Sequence, residues 1–495
     1  MLKKNNILLE KIFYNYIKNP DKIIISDSYR SLTWNELVNY SLYYSLKFSK
    51  IKNKYIPILV DRKVETIIII LAIVFANKVF CPISCAIPNQ RRRVISKILK
   101  STLIINCSKI RISKQIINKK INKIENIKNI FIKNNLKDEF YILFTSGSTG
   151  TPKGVKLSYE NILNTIVWSH SYINWNKRDK IGVATQFSFD LSIFDLFTAL
   201  FFNTPLFIFS NPQNPIQNLK EINKEKITSI LSVPVFFSNF YQYNLLKKKI
   251  FSLRRIMSAG DFFSPQAILE WYKYQKKVKI YNGWGPTETS ILNSFHLIKR
   301  SDIKKLRNGH PAPVGRSHKL MKICIVKNRN SIIKKKNIIG EICMLGKSVS
   351  VGYVGNIKNS KNYIKLMNDR GFLTGDLGYF DNNNNLHIVG RKDNMIKIAG
   401  YRIDGLEIQK ITNKISGVLD SIAFDVELHD RLKTLCLAIL TNKKFNIQYI
   451  KKYLSKYLPS YSIPKRIIFL KKFPVNVNNK IDRNKLSELV NSSGV

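Results

Sequence analysis

The segment TSGSTGTPKG, residues 145–154, combines glycines, hydroxyl side chains and a lysine in ten consecutive positions. Glycine frees the backbone to turn several N–H groups towards one point, and the hydroxyls and the lysine add donors and positive charge there. Such a loop can surround phosphate oxygens. It lacks the GK[ST] ending of a Walker loop, so a different phosphate-binding loop is indicated.

Further along the chain, several side chains suit a nucleotide. Trp284 offers an aromatic face to a purine, and Asn282 can hydrogen-bond a base edge. Thr287 offers a hydroxyl, and Glu288 offers the hard oxygen ligand that Mg²⁺ prefers. Asp376 has a carboxylate that can accept two O–H donors at once. Taken singly, each of these residues also fits a plain turn.

In this order, the motifs resemble those of the adenylate-forming superfamily, which includes acyl-CoA synthetases, luciferase-like enzymes and amino-acid adenylation domains of peptide synthetases. SLTWNELVNYS (31–41), GEICMLGKSVSVGY (340–353) and LPSYSIP (458–464) extend the resemblance to roughly residues 25–485. It implies ATP and Mg²⁺ as cofactors, with Glu288 on the metal, Thr287 at the α-phosphate and Asp376 on both ribose hydroxyls. The implied ATP-binding residues are Thr145, Ser146, Gly147, Ser148, Thr149, Gly150, Lys153, Asn282, Trp284, Thr287, Asp376 and Arg391.

The resemblance also assigns catalytic roles near the C-terminus. Lys480, in NVNNKIDR, matches the lysine that bridges the substrate carboxylate and the α-phosphate, and Asp393 matches the hinge of a mobile domain. Two departures from the family pattern occur here. Asn479 replaces the usual glycine, and Asp404-Gly405-Leu406 inverts the usual Leu-Gly order.

The segment FSFDLSIFDLF (187–197) indicates the class of acid. Amino-acid adenylation domains have an aspartate after an aromatic residue here, and its carboxylate pairs with the substrate α-ammonium group. Asp190 and Phe189 match these positions. The alternative is that Asp190 is only the N-cap of a helix, although Ser192 could cap instead. The sequence of this segment most resembles that of stand-alone D-alanine–carrier protein ligases.

Besides Phe189 and Asp190, the positions that the resemblance places around the substrate are Leu191, Phe194, Met257, Ala259, Gly283, Ile291 and Leu292. None of these seven residues is charged, which favours a small neutral amino acid such as alanine, glycine or proline.

The implied reaction converts a carboxylate and ATP into an acyl-AMP and pyrophosphate, then passes the acyl group to a thiol. The tail LSELVNSSGV has no Gly-Gly-x-Ser phosphopantetheine site. We therefore expect a separate phosphopantetheinylated carrier protein as the acceptor, and a monomeric enzyme.

Strand-like β-branched runs alternate with amphipathic segments, as in KYIPILV before ETIIIILAIVFA, which predicts an α/β fold with largely parallel sheets. We expect a large N-terminal domain at 1–390, including a β-rich subdomain whose pattern begins around 300–335. A small mobile α/β domain is expected at 391–495. The low-complexity stretch 108–139 is interpreted as a surface connection.

The net charge is +50, from 82 basic and 32 acidic residues. Lysine dominates the basic residues throughout an Ile-, Lys- and Asn-rich chain, which favours coding bias as the cause. Arginine-aromatic clusters typical of nucleic-acid sites do not occur, and Arg91–Arg93 is interpreted as a solvated helix start. We therefore expect no nucleic-acid partner.

The remaining bulk features indicate a cytoplasmic protein without a membrane segment. The N-terminal twenty residues lack an uninterrupted apolar core, and the apolar run Ile67–Ala76 is too short to span a bilayer. None of the six cysteines forms a CxxC pair, so we expect reduced core residues.

Two alternatives stay open. The chain could be an acyl-CoA synthetase for a non-amino acid. It could also be a basic nucleic-acid-binding protein that has lost catalysis, although Glu288, Asp376 and Lys480 argue against loss.

Overall fold

The computed structural model of the protein describes residues 6–113, 135–145, 152–329, 331–355, 361–392, 395–427, 433–474 and 482–492. The α-helices of these residues are α1 (Ile7–Lys18), α2 (Trp34–Phe48), α3 (Val64–Phe75), α4 (Asn89–Leu99), α5 (Tyr159–Ile173), α6 (Asp190–Phe202), α7 (Pro215–Lys224), α8 (Pro234–Gln242), α9 (Pro265–Tyr274), α10 (Arg300–Arg307), α11 (Gly405–Thr412), α12 (Ile447–Ser455) and α13 (Arg483–Ser492).

The strands are β1 (Ile23–Ser26), β2 (Ser31–Thr33), β3 (Tyr55–Val60), β4 (Val79–Ser84), β5 (Ile105–Asn106), β6 (Glu139–Thr145), β7 (Lys153–Ser158), β8 (Ile181–Val183), β9 (Leu206–Ile208), β10 (Ser229–Ser232), β11 (Arg255–Ser258), β12 (Lys279–Trp284), β13 (Ser294–Leu297), β14 (Lys322–Asn328), β15 (Ser331–Ile332), β16 (Gly340–Leu345), β17 (Gly352–Tyr353), β18 (Tyr363–Leu366), β19 (Asp369–Phe380), β20 (Leu386–Arg391), β21 (Met395–Ile398), β22 (Tyr401–Asp404), β23 (Asp420–Glu427), β24 (Lys433–Leu440) and β25 (Arg466–Leu470).

Two largely parallel sheets form the centre of the larger part of the chain. The first has eight strands in the order β13-β12-β11-β10-β8-β9-β1-β2, and only its two edge pairs, β12–β13 and β1–β2, are antiparallel. The second has the order β17-β7-β6-β4-β3-β5, with β3, β4, β5 and β6 parallel. Because parallel sheets are buried on both faces, their strands are rich in β-branched and aromatic residues.

Helix α6 is buried between these two sheets. It contacts β8, β9 and β10 of the first sheet, and the ring of its Phe197 packs 4.8 Å from that of Phe140 in β6 and 6.4 Å from that of Phe80 in β4. A helix covered on both sides must be apolar around most of its circumference. Accordingly, every residue of α6 before Phe201 is buried.

A third, antiparallel sheet has the order β15-β14-β16-β19-β18, with β20 paired to β19. The sequence pattern placed the start of this β-rich region around 300–335. The structure shows that residues 300–307 are helix α10 and that the sheet begins at Lys322. Successive side chains of each strand point to opposite faces of this sheet, and both faces are apolar.

The chain folds into two compact units. The first contains residues 1–85, 98–143 and 154–392, and the second contains 86–97, 144–153 and 393–495. Within the second unit, β21 pairs with β22, and β24 lies between β23 and β25. In the altered segment, Asp404 accepts a hydrogen bond from the Leu406 amide at 2.9 Å and caps α11.

Arg91 corrects one expectation from the sequence. The Arg91–Arg93 run does lie in a helix, α4, but Arg91 is only 9% exposed and not solvated. Its guanidinium group lies 2.6 Å from the Glu407 carboxylate within the second unit. An unpaired buried charge is costly, so the pairing with Glu407 explains how Arg91 can be buried.

The α/β fold predicted from the strand–helix alternation is confirmed. KYIPILV forms β3, and the following apolar run forms α3, in which all twelve residues are buried. In the described part of the chain, no helix combines the length and apolar character needed to cross a membrane.

Asp195 is an unusual core residue of α6. It is fully buried, and neither carboxylate oxygen has a hydrogen-bond partner among the described residues. Burial raises the pKa of this carboxyl well above its usual value, since desolvation disfavours the charged form. The folded protein therefore holds a proton here that the unfolded chain releases above about pH 4.

Asp195→Asn should change the pH dependence of stability. Between the unfolded and folded pKa values, the native state binds the extra proton, so wild-type stability falls as pH rises, by about 1.4 kcal/mol per pH unit at most. The asparagine variant does not lose stability in this way. The difference in free energy of unfolding between the variant and the wild type should therefore shift in favour of the variant from pH 5 to pH 8. Urea or thermal unfolding across this range measures it.

Glu139→Gln is a suitable control. Burial alone would raise the pKa of Glu139, but hydrogen bonds from Lys54 and Lys156 outweigh it, so the pKa is lowered. Neither lysine titrates between pH 5 and pH 8, so the stability difference for this variant should stay nearly constant over that range. A constant difference for Asp195→Asn as well would contradict the buried-proton account.

Candidate functional site

Several of the predicted site residues of the first unit lie at one edge of the eight-stranded sheet. Asp190 follows β8, Ala259 follows β11, and residues 282–284 end β12. These strands are parallel, so their carboxyl ends share an edge, which is where open α/β sheets bind ligands. The register places Ser258 beside Asn282.

Asp190 is held from the neighbouring loop by Thr287. The threonine hydroxyl donates a hydrogen bond of 2.7 Å to Asp190 Oδ2, and Asp190 is only 6% exposed. Phe189, not Asp190, is the N-cap residue of α6. The hydroxyl of Ser192 donates to the carbonyls of Gln186 and Phe189 and does not cap the helix.

The pKa of Tyr141 in β6 is also affected by the Asp190 charge. Its ring is fully buried, and burial together with the nearby Asp190 carboxylate raises the pKa of its hydroxyl well above the usual value. At neutral pH the hydroxyl therefore stays protonated. The surroundings of Asp190 thus combine the Thr287 hydroxyl with the buried, neutral ring of Tyr141.

The loop 285–293 adopts a strained backbone beside this carboxylate. Ser290 and Ile291 have φ values of 66° and 76°. A β-branched residue rarely enters this left-handed region, and such strain costs on the order of 1–3 kcal/mol per residue. Strain of this kind persists only where the surroundings hold it and is concentrated at functional sites.

Several contacts hold this loop in place. Thr165 of α5 donates a hydrogen bond of 2.8 Å to the Ser290 carbonyl. The Asn293 side chain bonds the Thr289 carbonyl at 2.7 Å, and its backbone amide bonds the Trp284 carbonyl at 2.8 Å. The loop is closed so tightly that a Cβ at Gly285 would lie 2.4 Å from the carbonyl oxygen of residue 291.

Glu288 projects from the same loop and is 5% exposed. Its Oε1 accepts a hydrogen bond of 3.2 Å from the Tyr353 hydroxyl, and its carbonyl accepts from the Ser350 amide at 2.8 Å. The first of these contacts orients the carboxylate. Among the described residues, no cluster of three or more His, Cys, Asp or Glu side chains could hold a metal ion. One carboxylate is nevertheless enough when phosphates supply the other oxygens, as Mg²⁺ sites often do.

Asp376 in β19 is fixed from two sides. The Trp284 indole N–H donates to its Oδ2 at 2.9 Å, and Arg391 bonds its Oδ1 at 2.5 Å. Asp376 is 1% exposed. The indole ring lies in the apolar cluster with Val314 and Ile323. Trp284 therefore orients the carboxylate that is predicted to bind ribose.

The Asn282 amide group is also engaged by the protein. Its nitrogen donates to the carbonyls of Ala312 and Pro313 at 3.3 and 3.1 Å. These bonds fix the plane of the amide, and the oxygen is the atom that can accept from a base.

Six of the predicted substrate-lining residues belong to one buried apolar cluster, against which Phe189 packs. They are Leu191, Phe194, Met257, Ala259, Ile291 and Leu292. Gly283 lies beside them in β12, where a Cβ would come within 2.7 Å of the Phe295 ring.

The other predicted residues divide into two groups. Thr145 ends β6 and Lys153 begins β7, and both belong to the second compact unit. The second group lies outside the described residues and consists of Ser146, Gly147, Ser148, Thr149, Gly150, Asp393 and Lys480. The roles of both groups stay predictions.

The structure adds three residues that sequence reasoning missed. Thr165 anchors the strained loop, Tyr353 orients Glu288, and Asn293 closes the loop on itself. Only Tyr353 carried a signal, because it ends the motif at 340–353.

Comparison with known proteins identifies the family. The profile of the AMP-binding enzyme family matches residues 14–354, so the chain belongs to this family. Gramicidin S synthase 1 of Brevibacillus brevis is 27% identical over 489 residues, covering 95% of this chain and 43% of that protein. The chain thus spans less than half the length of this relative.

Two solved structures share the fold. Holo-PA1221, an NRPS protein containing adenylation and PCP domains, matches with a TM-score of 0.85 at 18% identity, covering 97% of this chain and 83% of that one. The o-succinylbenzoate CoA synthetase of Bacillus subtilis matches with a TM-score of 0.82 at 19% identity, covering 98% and 99%. The predicted membership of the adenylate-forming superfamily is confirmed. The closer likeness to D-alanine–carrier protein ligases stays a prediction.

Trp284→Phe tests the hydrogen bond to Asp376. The variant keeps a ring in the core but removes the donor to Oδ2, so ATP binding should weaken about tenfold, the equivalent of ~1.4 kcal/mol for a bond to a charged group. Calorimetric titration with ATP measures the effect.

Trp271→Phe is the matched control. Trp271 donates its indole N–H to the Phe237 carbonyl at 3.0 Å in a separate core, so this variant should lose stability but bind ATP normally. Equal loss of ATP affinity in the two variants would refute a specific role for Trp284.

Proposed function

We propose that the protein activates a small neutral amino acid as its aminoacyl-AMP, with release of pyrophosphate, and transfers the aminoacyl group to the phosphopantetheine thiol of a carrier protein. The proposal goes beyond the family in three respects, namely the amino group of the substrate, its neutral side chain and the acceptor thiol.

The Asp190 carboxylate is the observation that supports an amino group on the substrate. It is buried, held by Thr287, and adjoins the apolar cluster that contains Leu191 and Phe194. A substrate ammonium group can pair with such a carboxylate, and the pair is strong because water is excluded. A fatty or aryl acid brings no cation and would gain no such pairing with Asp190.

The apolar cluster supports a neutral side chain on the substrate. Met257, Ala259 and Leu292 are at most 1% exposed, and none of the six clustered residues is charged. A charged side chain of the substrate would lose its hydration without gaining a partner, so it would be rejected. Phe194 and Met257 also occupy volume, which favours a small aliphatic side chain.

The nucleotide would be held by the residues already described. Asp376, fixed by Trp284 and Arg391, is placed to accept ribose hydroxyls. Glu288 would hold Mg²⁺, which neutralises phosphate charge when bound. In phosphoryl chemistry the protein mainly positions groups and stabilises charge. Lys480 is proposed to hold the substrate carboxylate near the α-phosphate.

The acceptor thiol is supported by the similarity to peptide synthetases. The fold of an NRPS protein that contains adenylation and PCP domains matches this chain, and a peptide synthase is among its relatives. Carrier proteins are generally acidic, so the net charge of +50 would speed their association. We propose Asp393 as the hinge of the domain rotation that separates the two half-reactions.

An acyl-CoA synthetase is the second candidate, since an enzyme of that kind shares the fold. Asp190 favours amino-acid activation, and the exchange experiment described next decides between the two candidates.

Asp190→Asn should abolish amino-acid activation. The amide cannot pair with an ammonium ion, and loss of one partner of a buried pair costs about 3 kcal/mol or more, so kcat/KM for amino-acid-dependent ATP–pyrophosphate exchange should fall at least about 100-fold. ATP binding should not change.

Asp195→Asn is the matched control, because Asp195 is a buried acid five positions later in the same helix. It should retain exchange. Undiminished amino-acid exchange in Asp190→Asn would overturn the proposal, and exchange by the wild type with simple acids alone would favour the acyl-CoA synthetase.

A further inference from the structure

Two of the six cysteines face each other across neighbouring strands. Strands β14 and β16 are antiparallel, and their register pairs Cys324 with Cys343 directly. Directly opposed residues lie on the same face with Cα atoms about 4.5–5.5 Å apart. This spacing falls inside the 4.4–6.8 Å range of disulfide bonds.

Both thiols donate hydrogen bonds to backbone carbonyls of β16, Cys343 to that of Met344 at 3.6 Å. Cys324 Sγ lies 3.7 Å from the Cys343 carbonyl oxygen. Interaction with the neighbouring thiol lowers the pKa of Cys324 and, together with burial, raises that of Cys343. Cys324 is therefore the more readily ionised of the pair, and the thiolate is the reactive form of cysteine.

The surroundings allow a small oxidant to reach one sulfur first. Cys324 is partly exposed, whereas Cys343 is fully buried. Both pack in the apolar cluster that includes Leu345 and Leu373, on the sheet face opposite to the cluster that contains Trp284. A bond between the two sulfurs would thus form away from Asp376 and its partners.

We propose that Cys324 and Cys343 are a redox-active pair that forms a reversible intrachain disulfide with hydrogen peroxide. The Cys324 thiolate attacks a peroxide oxygen, giving a sulfenic acid and hydroxide, which takes up a proton to form water. The Cys343 thiol then displaces the sulfenic oxygen, forming the S–S bond and releasing a second water with the remaining protons. Two thiols and one hydrogen peroxide give one disulfide and two waters, and a dithiol reductant reverses the change.

The four other cysteines are less suited to this chemistry. Cys81, Cys107 and Cys436 are buried and Cys85 is exposed, and burial raises the pKa of the three buried thiols. Cys85 lies near enough to influence the Cys107 thiol, but the two are not paired on adjacent strands. A bond between Cys85 and Cys107 is the competing outcome.

Peptide mapping of the full-length protein tests the pair. After treatment with a few equivalents of hydrogen peroxide, unfolding and alkylation, mass spectrometry should find residues 324 and 343 in one disulfide-linked peptide pair. Four of the six cysteines should be alkylated, and all six should be after dithiothreitol. The melting temperature should rise by several degrees on oxidation, because the bond restricts the unfolded chain.

Two variants keep the result interpretable. Cys85→Ser should form the same linked pair with the same thermal shift, whereas Cys324→Ser should form neither. A linked peptide of Cys85 with Cys107, alkylation of all six thiols after peroxide, or oxidation of Cys324 to a sulfinic acid without a linked partner would each overturn the proposal.

Discussion

The hydrogen bond from Thr287 to the buried Asp190 carboxylate is the interaction on which the candidate site depends. It joins the first turn of a helix buried between two sheets to the loop that follows β12. A carboxylate in such surroundings is costly unless it is bonded and paired. The geometry therefore orients Asp190, and the ammonium group of an amino acid can pair with the carboxylate so placed.

The rest of the larger unit can be understood from this constraint. Helix α6 must be apolar around its circumference because sheets cover both sides, and its first residue is thereby carried to the sheet edge. The loop carrying Thr287 is held in a strained form at Ser290 and Ile291. Contacts from α5 stabilise that form, so the polar groups around Asp190 are positioned before any substrate arrives.

Much of the fold and of the site could be predicted from the sequence, because the information is local. Strand–helix alternation predicted the parallel sheets, and short motifs located Asp190, Glu288 and Asp376. Glycine-rich loops and single carboxylates in fixed contexts are informative because few residue types satisfy their backbone and charge requirements.

The residues that escaped prediction depend on long-range packing. Thr165 meets Ser290 from a position 125 residues away, and Tyr353 meets Glu288 across 65 residues. Threonine and tyrosine are common types with no spacing that marks such a contact. Arg91 was expected in solvent because its partner, Glu407, is 316 positions later. These contacts are specified by the tertiary fold, which no local pattern records.

The most direct test of the account is ATP–pyrophosphate exchange by the purified wild-type protein with single candidate acids. Each of the twenty amino acids, D-alanine, a short fatty acid and an aryl acid would be assayed with ATP and Mg²⁺. Exchange that depends on a small neutral amino acid, and is absent with charged amino acids, is the predicted result. Exchange with fatty or aryl acids and with no amino acid would contradict the central claim that Asp190 receives a substrate ammonium group.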